Sequence, residues 1–296
     1  MNDCAVLVCS CDKYEDAWKP FFTLLQTHWK DCPYPIYLNT ETKKFSDPLN
    51  LGVKTINGNP KWQWSKRLRH CLEQIDSNYI LLMLEDFFLL SDVKQKIVNE
   101  CLDWMKKDDL AFVCFERHGH LLDGEVPEHE IFARRKQGTR YTLNLQVGIW
   151  NKKILLKCLK DFESPWEFEE IGNIRSYGIK QNFYIQLYDT PPIFDYNVNR
   201  LSGYGLYRGT WLKSNKSLFA RYGIDVDFNR LGFFESEEQF VTYRRTPKEK
   251  LKFYFCHPIE IFKTIKAILF TVYKHIVWGL EKIKYLSKIR KAKTTK

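Results

Sequence analysis

The sequence predicts an α/β fold, a mixed and mostly parallel sheet flanked by helices, and three observations predict it. Short apolar, β-branched runs alternate along the chain with stretches whose apolar residues recur at helical spacing. The run AVLVC (5–9) and the longer run within 79–90 are too apolar for edge strands, so both belong inside a sheet covered on two faces. Polar groups close each run, SCDKYED after the first and the pair Glu85-Asp86 within the second. They fall at the carboxyl ends of strands, where α/β sheets bind ligands.

Each element follows in order. After AVLVC and its loop, a helical pattern covers 18–29, and PIYLN (35–39) is the next strand. Between 65 and 75, Leu68, Cys71, Leu72 and Ile75 recur at helical spacing, with Lys66, Arg67 and Arg69 on other faces. Asn78 turns the chain into YILLMLEDFFLL (79–90). A helix is expected over 93–105, a buried strand at LAFVCF (110–115) and a strand at TLNLQVGIW (142–150). A helix then begins over 154–159, followed by the Pro-initiated, carboxylate-rich SPWEFEEIG (164–172). QNFYIQLYD (181–189) and PIFDYNV (192–198) have the pattern of strands or strand-like loop walls. No internal repeat interrupts this, and the first low-complexity stretch is the Lys-rich end. The chain therefore divides into a body over 1–243 and a tail over 244–296.

Length and composition exclude several classes. A chain of 296 residues with 44% hydrophobic and 16% aromatic residues buries a sizeable core and is not disordered. The net charge is +10. Residues 244–296 hold fifteen Lys/Arg against three Glu, a surplus of +12 that leaves −2 for the body. A fold that reads nucleic acid carries its charge on the fold, so this distribution argues against one. The nine cysteines form no CxxC pair, several lie in apolar runs, and the opening MNDCAVLVCS is a strand pattern without a basic n-region or cleavage site. Free, mostly buried thiols in a reducing cytoplasm are expected, and a zinc site is not.

The acidic pair is the sharpest local signal. Desolvating an unpaired carboxylate costs several kcal/mol, about 3–5 where a buried pair is broken, so two acids inside an apolar run need a reason. Either the strand ends at Leu84 and the acids are solvated in a turn, or they face a cation. Carboxylate oxygens are hard ligands suited to Mg²⁺ or Mn²⁺, with phosphate oxygens completing the shell. At this point the chain resembles the GT-A glycosyltransferases, in the variant whose metal motif reads xED. The resemblance makes Asp86 the metal ligand and Glu85 a contact to the donor ribose or sugar, or to a metal-bound water. Leu84 stands where a first Asp would be. WSKRL (64–68) resembles the segment just upstream of that motif in bacterial surface-polysaccharide transferases, which brings Arg67 to the donor. SCDKYED resembles their nucleotide-contacting loop, with Ser10, Asp12 and Tyr14 as candidates. The block 204–233, with its Arg-Gly-x-Trp element RGTW, resembles a C-terminal block of the same enzymes. The resemblance spans about 4–234.

It implies transfer of a sugar from a nucleotide-sugar donor, assisted by a divalent cation, onto a glycan or lipid-linked oligosaccharide. Arg208, between Gly205 and Gly209, is either a phosphate contact or a surface turn residue. If the reaction inverts, a carboxylate takes the acceptor proton, and SPWEFEE offers Glu167, Glu169 and Glu170. Acids at a helix start also answer the dipole, so both roles stay open; Glu169 is the preferred base, Glu167 the second choice, and Trp166 an acceptor wall. Gln146 is a sugar contact or an ordinary sheet polar residue. His257 is a conceivable further metal ligand or a structural residue. HGH (118–120) with Asp123, Glu125, Glu128, His129 and Glu130 shows no ligand spacing and reads as a solvated loop.

The tail has apolar residues recurring from Ile261 to Ile283 with lysines between them. Its longest uncharged stretch, 267–273, is too short to cross a bilayer. It reads as a basic amphipathic helix lying on an anionic membrane surface, or as a helix packed on the body or on a second copy. Two further functional readings compete with sugar transfer. A nucleotidyltransferase would want a Gly-rich phosphate loop after the first strand, and SCDKYED has no Gly. A non-catalytic membrane-surface module leaves the acidic insertion unexplained.

Overall fold

The computed structural model describes residues 3–117, 126–127, 130–196, 205–207, 209–234 and 246–256, with the single positions Phe262, Ile265 and Leu269. The body opens with β1 (Cys4–Cys9), a 3-10 turn (Asp12–Tyr14) and α1 (Glu15–His28). Then come β2 (Ile36–Thr40), β3 (Lys54–Asn57), α2 (Trp64–Gln74), β4 (Tyr79–Leu84), α3 (Gln95–Lys107) and β5 (Phe112–Arg117). After β6 (Val126–Pro127), β7 (Phe132–Arg134) and β8 (Gly148–Asn151), the chain forms α4 (Lys152–Cys158) and α5 (Pro165–Glu170). A 3-10 helix (Gly172–Gly178) leads to β9 (Phe183–Gln186). The C-terminal block holds the hairpin β10 (Leu206–Tyr207) and β11 (Thr210–Trp211), then α6 (Ser214–Arg221), and α7 (Pro247–Cys256) begins the tail.

Among the described residues one nine-stranded sheet runs β3-β2-β1-β4-β8-β5-β9-β7-β6. Strands β8 and β7 run against the others, so the sheet is mixed and mostly parallel, as the sequence predicts. The period of two along each strand divides the core. Val6, Val8, Leu81 and Met83 point to the face covered by α1, α3 and the C-terminal block. Ala5, Leu7, Ile80 and Leu82 point to the face covered by α2 and α4, where Trp150 stacks on Phe112 at 4.1 Å. Burial on both faces is what makes β1 and β4 uninterrupted apolar runs.

Several expectations change. The segment 142–150 is a strand only over Gly148–Asn151. Its earlier half is irregular because side chains take the place of ladder partners: Asn173 Oδ1 accepts from Leu143 N–H and Glu169 Oε1 from Leu145 N–H. Of the two readings of 192–198, the described part 192–196 is a loop wall rather than a strand: Leu90 N–H and Lys94 N–H donate to the Asp195 and Ile193 carbonyls and tie it to the loop after β4, while 197–198 lie outside the described residues. β3, β6 and β7 lack the apolar run that marks the other strands. The carboxylate-rich segment forms α5 with Ser164 as N-cap and Glu167 as its capping-box partner, the S-x-x-E signature in its literal sense. The eight cysteines described are free and mostly buried. No helix among the described residues is long and apolar enough to cross a membrane.

Gly148 is where β8 enters between β4 and β5. A methyl group there would lie 2.5 Å from the Val113 carbonyl oxygen and 2.6 Å from the Phe112 ring. Backbone cannot yield as a flexible side chain does. Gly148→Ala should therefore cost about 1–3 kcal/mol in chemical denaturation; an unchanged midpoint would show that β8 is not held this tightly.

Candidate active site

From β1 the chain builds β2 and β3 on one side, then returns to place β4 on the other side of β1. Strand order thus reverses between β1 and β4, and the crevice outside the carboxyl ends at such a reversal is where open α/β sheets bind ligands. Cys9 and Leu84 pair in register, so the next residues, Ser10 and Glu85, leave the sheet side by side. Phe87 N–H donates to the Leu84 carbonyl at 3.3 Å and turns the chain, placing both acids in the turn rather than in the strand.

The site has an unusual charge state. Burial pushes the Glu85 carboxyl well above the carboxylate range, and Asp86 beside it pushes the same way, against a hydrogen bond from Ser10. Burial brings Asp86 up to about 7. Tyr14, half-buried opposite, is pushed up to about 12 by burial first, then by Cys11 and the two acids. Such a pair fits a hard divalent cation, because a positive charge offsets the burial, and at Glu85 the repulsion, that hold protons on it. No group of three or more His, Cys, Asp or Glu is assembled among the described residues. Asp86 with Glu85 beside it would be the protein's share of the ligands, leaving the rest to phosphate and water oxygens.

The other predicted donor contacts form the rim. Ser10 Oγ accepts from Trp18 Nε1 at 2.7 Å, which fixes the hydroxyl next to Glu85. Asp12 accepts from the Glu41, Thr42 and Lys43 amides at 3.0–3.1 Å, latching the loop after β1 to the loop after β2. Burial opposes ionisation of Asp12, yet these bonds with the Thr42 hydroxyl hold it below its ordinary value. Arg67 on α2 is engaged by Glu41 at 2.9 Å and by the Trp62 carbonyl at 2.9 Å. Asp12 and Arg67 therefore shape the crevice wall. Arg208 and His257 lie outside the described residues, as do 118–120, Asp123, Glu125, Glu128 and His129.

The acceptor-side candidates reach the same sheet edge by another route. Gly148 pairs with Leu82, so the residues before it, 144–147, lie at the end where Glu85 emerges. Glu169 on α5 accepts from Leu145 N–H at 2.8 Å, which brings its carboxylate to that edge. Burial raises Glu169 to about 7; Leu145 N–H and Arg140 oppose the shift and Glu170 adds to it. Glu167 is bound into the capping box, its Oε2 accepting from Ser164 N and Oγ at 2.8 Å. Trp166, 65% exposed, stands at the first turn of α5. Gln146 is half-buried, and its backbone N–H donates to Asn144 Oδ1 at 3.0 Å.

Gly205 stands out in the sequence only as a glycine flanking Arg208; its pairing with Asp86 and the role of Arg230 do not show there. Gly205 N–H donates to the Asp86 carbonyl at 2.5 Å, and the Gly205 carbonyl accepts from buried Asn215 Nδ2 at 2.5 Å. A methyl group at Gly205 would meet the Phe88 ring at 2.2 Å, so only glycine allows this approach. Arg230 reaches back to Asp16 at 2.5 Å and to the Lys13 carbonyl at 3.0 Å. The C-terminal block thus clamps both the acidic turn and the loop after β1. Lys13 itself was visible only as one basic residue in a polar loop; its neighbours come from the distant hairpin.

No protein-family model matches the chain, and no curated protein matches it. Among solved structures it is similar to S. aureus TarS 1-349, with TM-score 0.43 and 12% identity over 65% of this chain and 59% of that one. The same fragment in complex with UDP-GlcNAc gives TM-score 0.43 and 11% identity over 65% of this chain and 57% of that one. A cytidylyltransferase from Leptospira borgpetersenii gives TM-score 0.41 and 11% identity over 82% of this chain and 100% of that one. The chain spans less than two thirds of the TarS fragment it resembles, and likenesses at this level describe an arrangement of strands and helices only.

Proposed function

We propose that the chain is a nucleotide-sugar-dependent glycosyltransferase of the GT-A type, with its donor site at the β1–β4 reversal. The observation that carries this reading is the position of Glu85 and Asp86, two carboxylates pushed toward neutrality in the turn that ends a central strand. Asp86, assisted by Glu85, would hold Mn²⁺ or Mg²⁺, which as a Lewis acid stabilises charge on the departing diphosphate. Ser10 and Tyr14 line the nucleotide side of the crevice. Asp12 and Arg67 hold its walls.

In the inverting reaction we favour, Glu169 takes the proton from the acceptor hydroxyl as its oxygen bonds to the anomeric carbon. The bond from that carbon to the diphosphate breaks, and the nucleoside diphosphate leaves with the electron pair. Leu145 N–H occupies one Glu169 oxygen and leaves the other to accept the proton. A carboxyl at about 7 is suited to that task near neutral pH. Trp166 offers a flat apolar wall for a sugar ring, and Gln146 a polar contact beside it.

The acceptor we favour is a glycan or lipid-linked oligosaccharide of bacterial surface polysaccharide, met at the inner face of the cell membrane. The support is the tail. Leu251 and Phe255 on α7, and helical Phe262, Ile265 and Leu269, are 48–80% exposed in a segment with a +12 charge surplus. An apolar stripe in a basic helix suits an anionic lipid surface. The catalytic body would be residues 1–243 and the membrane-contacting tail 244–296.

Two substitutions separate the roles. Asp86→Asn should abolish transfer and donor hydrolysis with the melting temperature retained, and should remove Mn²⁺-dependent nucleotide binding. In the parent chain that binding should weaken as pH falls through about 7, because the ligand must be ionised. Glu169→Gln should cost about 10²–10⁴ in kcat with donor affinity kept; a mild effect would move the base to Glu167 or argue for retention. For the tail, a chain ending at Lys250 should no longer sediment with vesicles containing phosphatidylglycerol, whereas retained sedimentation would place the membrane contact elsewhere.

A further inference from the structure

We propose that Lys13 is a diphosphate-binding residue of the donor site, an inference that rests on the donor-site reading above. The other cations around the loop after β1 are neutralised. Lys43 pairs with Glu15, Arg67 with Glu41 at 2.9 Å, and Arg230 with Asp16 at 2.5 Å. Among the described residues, no carboxylate lies within ion-pairing distance of Lys13. Its backbone is held, and its exposed side chain has neighbours of another kind. Arg230 holds its carbonyl at 3.0 Å, and its ammonium stands 5.5 Å from the Tyr14 ring centroid. On the other side is the tip of the β10–β11 hairpin: a methyl group on Gly209 would come within 2.8 Å of Lys13 Nζ and 3.5 Å of the Tyr14 hydroxyl. Gly209 has φ +87, so a glycine suits both the turn and the close approach of the ammonium.

The electrostatics explain why a free cation belongs there. Lys13 Nζ stands 5.5 Å from the Tyr14 ring centroid, and Tyr14 in turn lies near enough to Glu85 and Asp86 to feel their charges. A divalent cation held by Asp86 would neutralise part of a bound diphosphate, and Lys13 on the loop after β1 would supply a further positive charge. As the bond to the sugar breaks, the diphosphate gains about one negative charge, and a nearby ammonium stabilises that state more than the ground state. Lysine acts here as a compact point charge with three donors. The C-terminal block contributes through Gly209, whose lack of a side chain leaves room for the exposed Lys13 ammonium beside the Tyr14 hydroxyl.

The test is calorimetric titration of the full chain with UDP, CDP, GDP and dTDP in the presence of Mn²⁺, and with the parent nucleosides. For the diphosphate that binds, Lys13→Ala should weaken affinity by about 10- to 100-fold, the range of a charge-assisted hydrogen bond. Nucleoside affinity should stay unchanged, the salt dependence should become shallower, and Lys13→Arg should restore most of the loss. Equal diphosphate affinity in Lys13→Ala overturns the proposal. So does a parallel loss of nucleoside binding, which would mean that the loop was merely disturbed. Lys13→Gln, which keeps the stem, guards against that disturbance and should behave like Lys13→Ala. If the parent chain binds none of the diphosphates, the donor-site reading itself fails, and this inference with it.

Discussion

Glu85 and Asp86 stand where a strand buried on both faces runs out, and the surrounding architecture is organised by the cost of keeping them there. Neither acid can be ionised cheaply: burial pushes both toward the protonated form, and the charge of Asp86 adds to the push on Glu85. Such a pair is stable as neutral carboxyls, or as carboxylates with a cation between them and an anionic ligand. The Ser10 hydroxyl on Glu85 and the Gly205 amide on the Asp86 carbonyl fix the turn in either state. In the proposed transfer, a preset geometry of this kind would spare the reorganisation otherwise needed during reaction.

The loops and the C-terminal block serve this turn in different ways. Asp12 and Arg67 join the exits of β1, β2 and α2 into one wall, so the crevice has a fixed shape before any ligand arrives. The block over 205–234 attaches through the aromatic contacts of Phe88 with Trp211 and Phe219 and through Arg230. It anchors the acidic turn with one end and the Lys13 loop with the other. Across the crevice, Glu169 hangs from Leu145, so the proposed base and the proposed donor site are tied to one sheet edge by hydrogen bonds rather than by chance proximity.

Much of this was readable from residue patterns where local physics decides the outcome. β1, β4 and β5 declare themselves as apolar runs because both their faces are buried. α2 declares itself by the spacing of Leu68, Cys71 and Leu72. The Ser164-Glu167 capping box is a local device and leaves a local signature. The acids were conspicuous because nothing else in their run is polar. What was not legible depends on distant partners. Residues 142–147 alternate like a strand, yet Asn173 and Glu169 take their amides. β3 is a half-exposed edge strand with too few apolar residues to stand out. The partners of Asp12 and Arg67, Glu41 and the 41–43 backbone, were not legible because they come from another loop. Lys13 and Asn215 gained meaning only when the hairpin and α6 were placed against the acidic turn.

The central claim is that this turn forms a sugar-nucleotide site, and ligand-induced stabilisation tests it most directly. A ligand bound to the native state alone raises the unfolding temperature in proportion to its affinity. The full chain should be melted with a panel of UDP-, GDP-, CDP- and dTDP-sugars, each with and without Mn²⁺, alongside the nucleoside triphosphates. The account predicts a rise in melting temperature with at least one nucleotide-diphosphate sugar, larger when Mn²⁺ is present. No shift with any sugar nucleotide, or a shift with triphosphates alone, would contradict it.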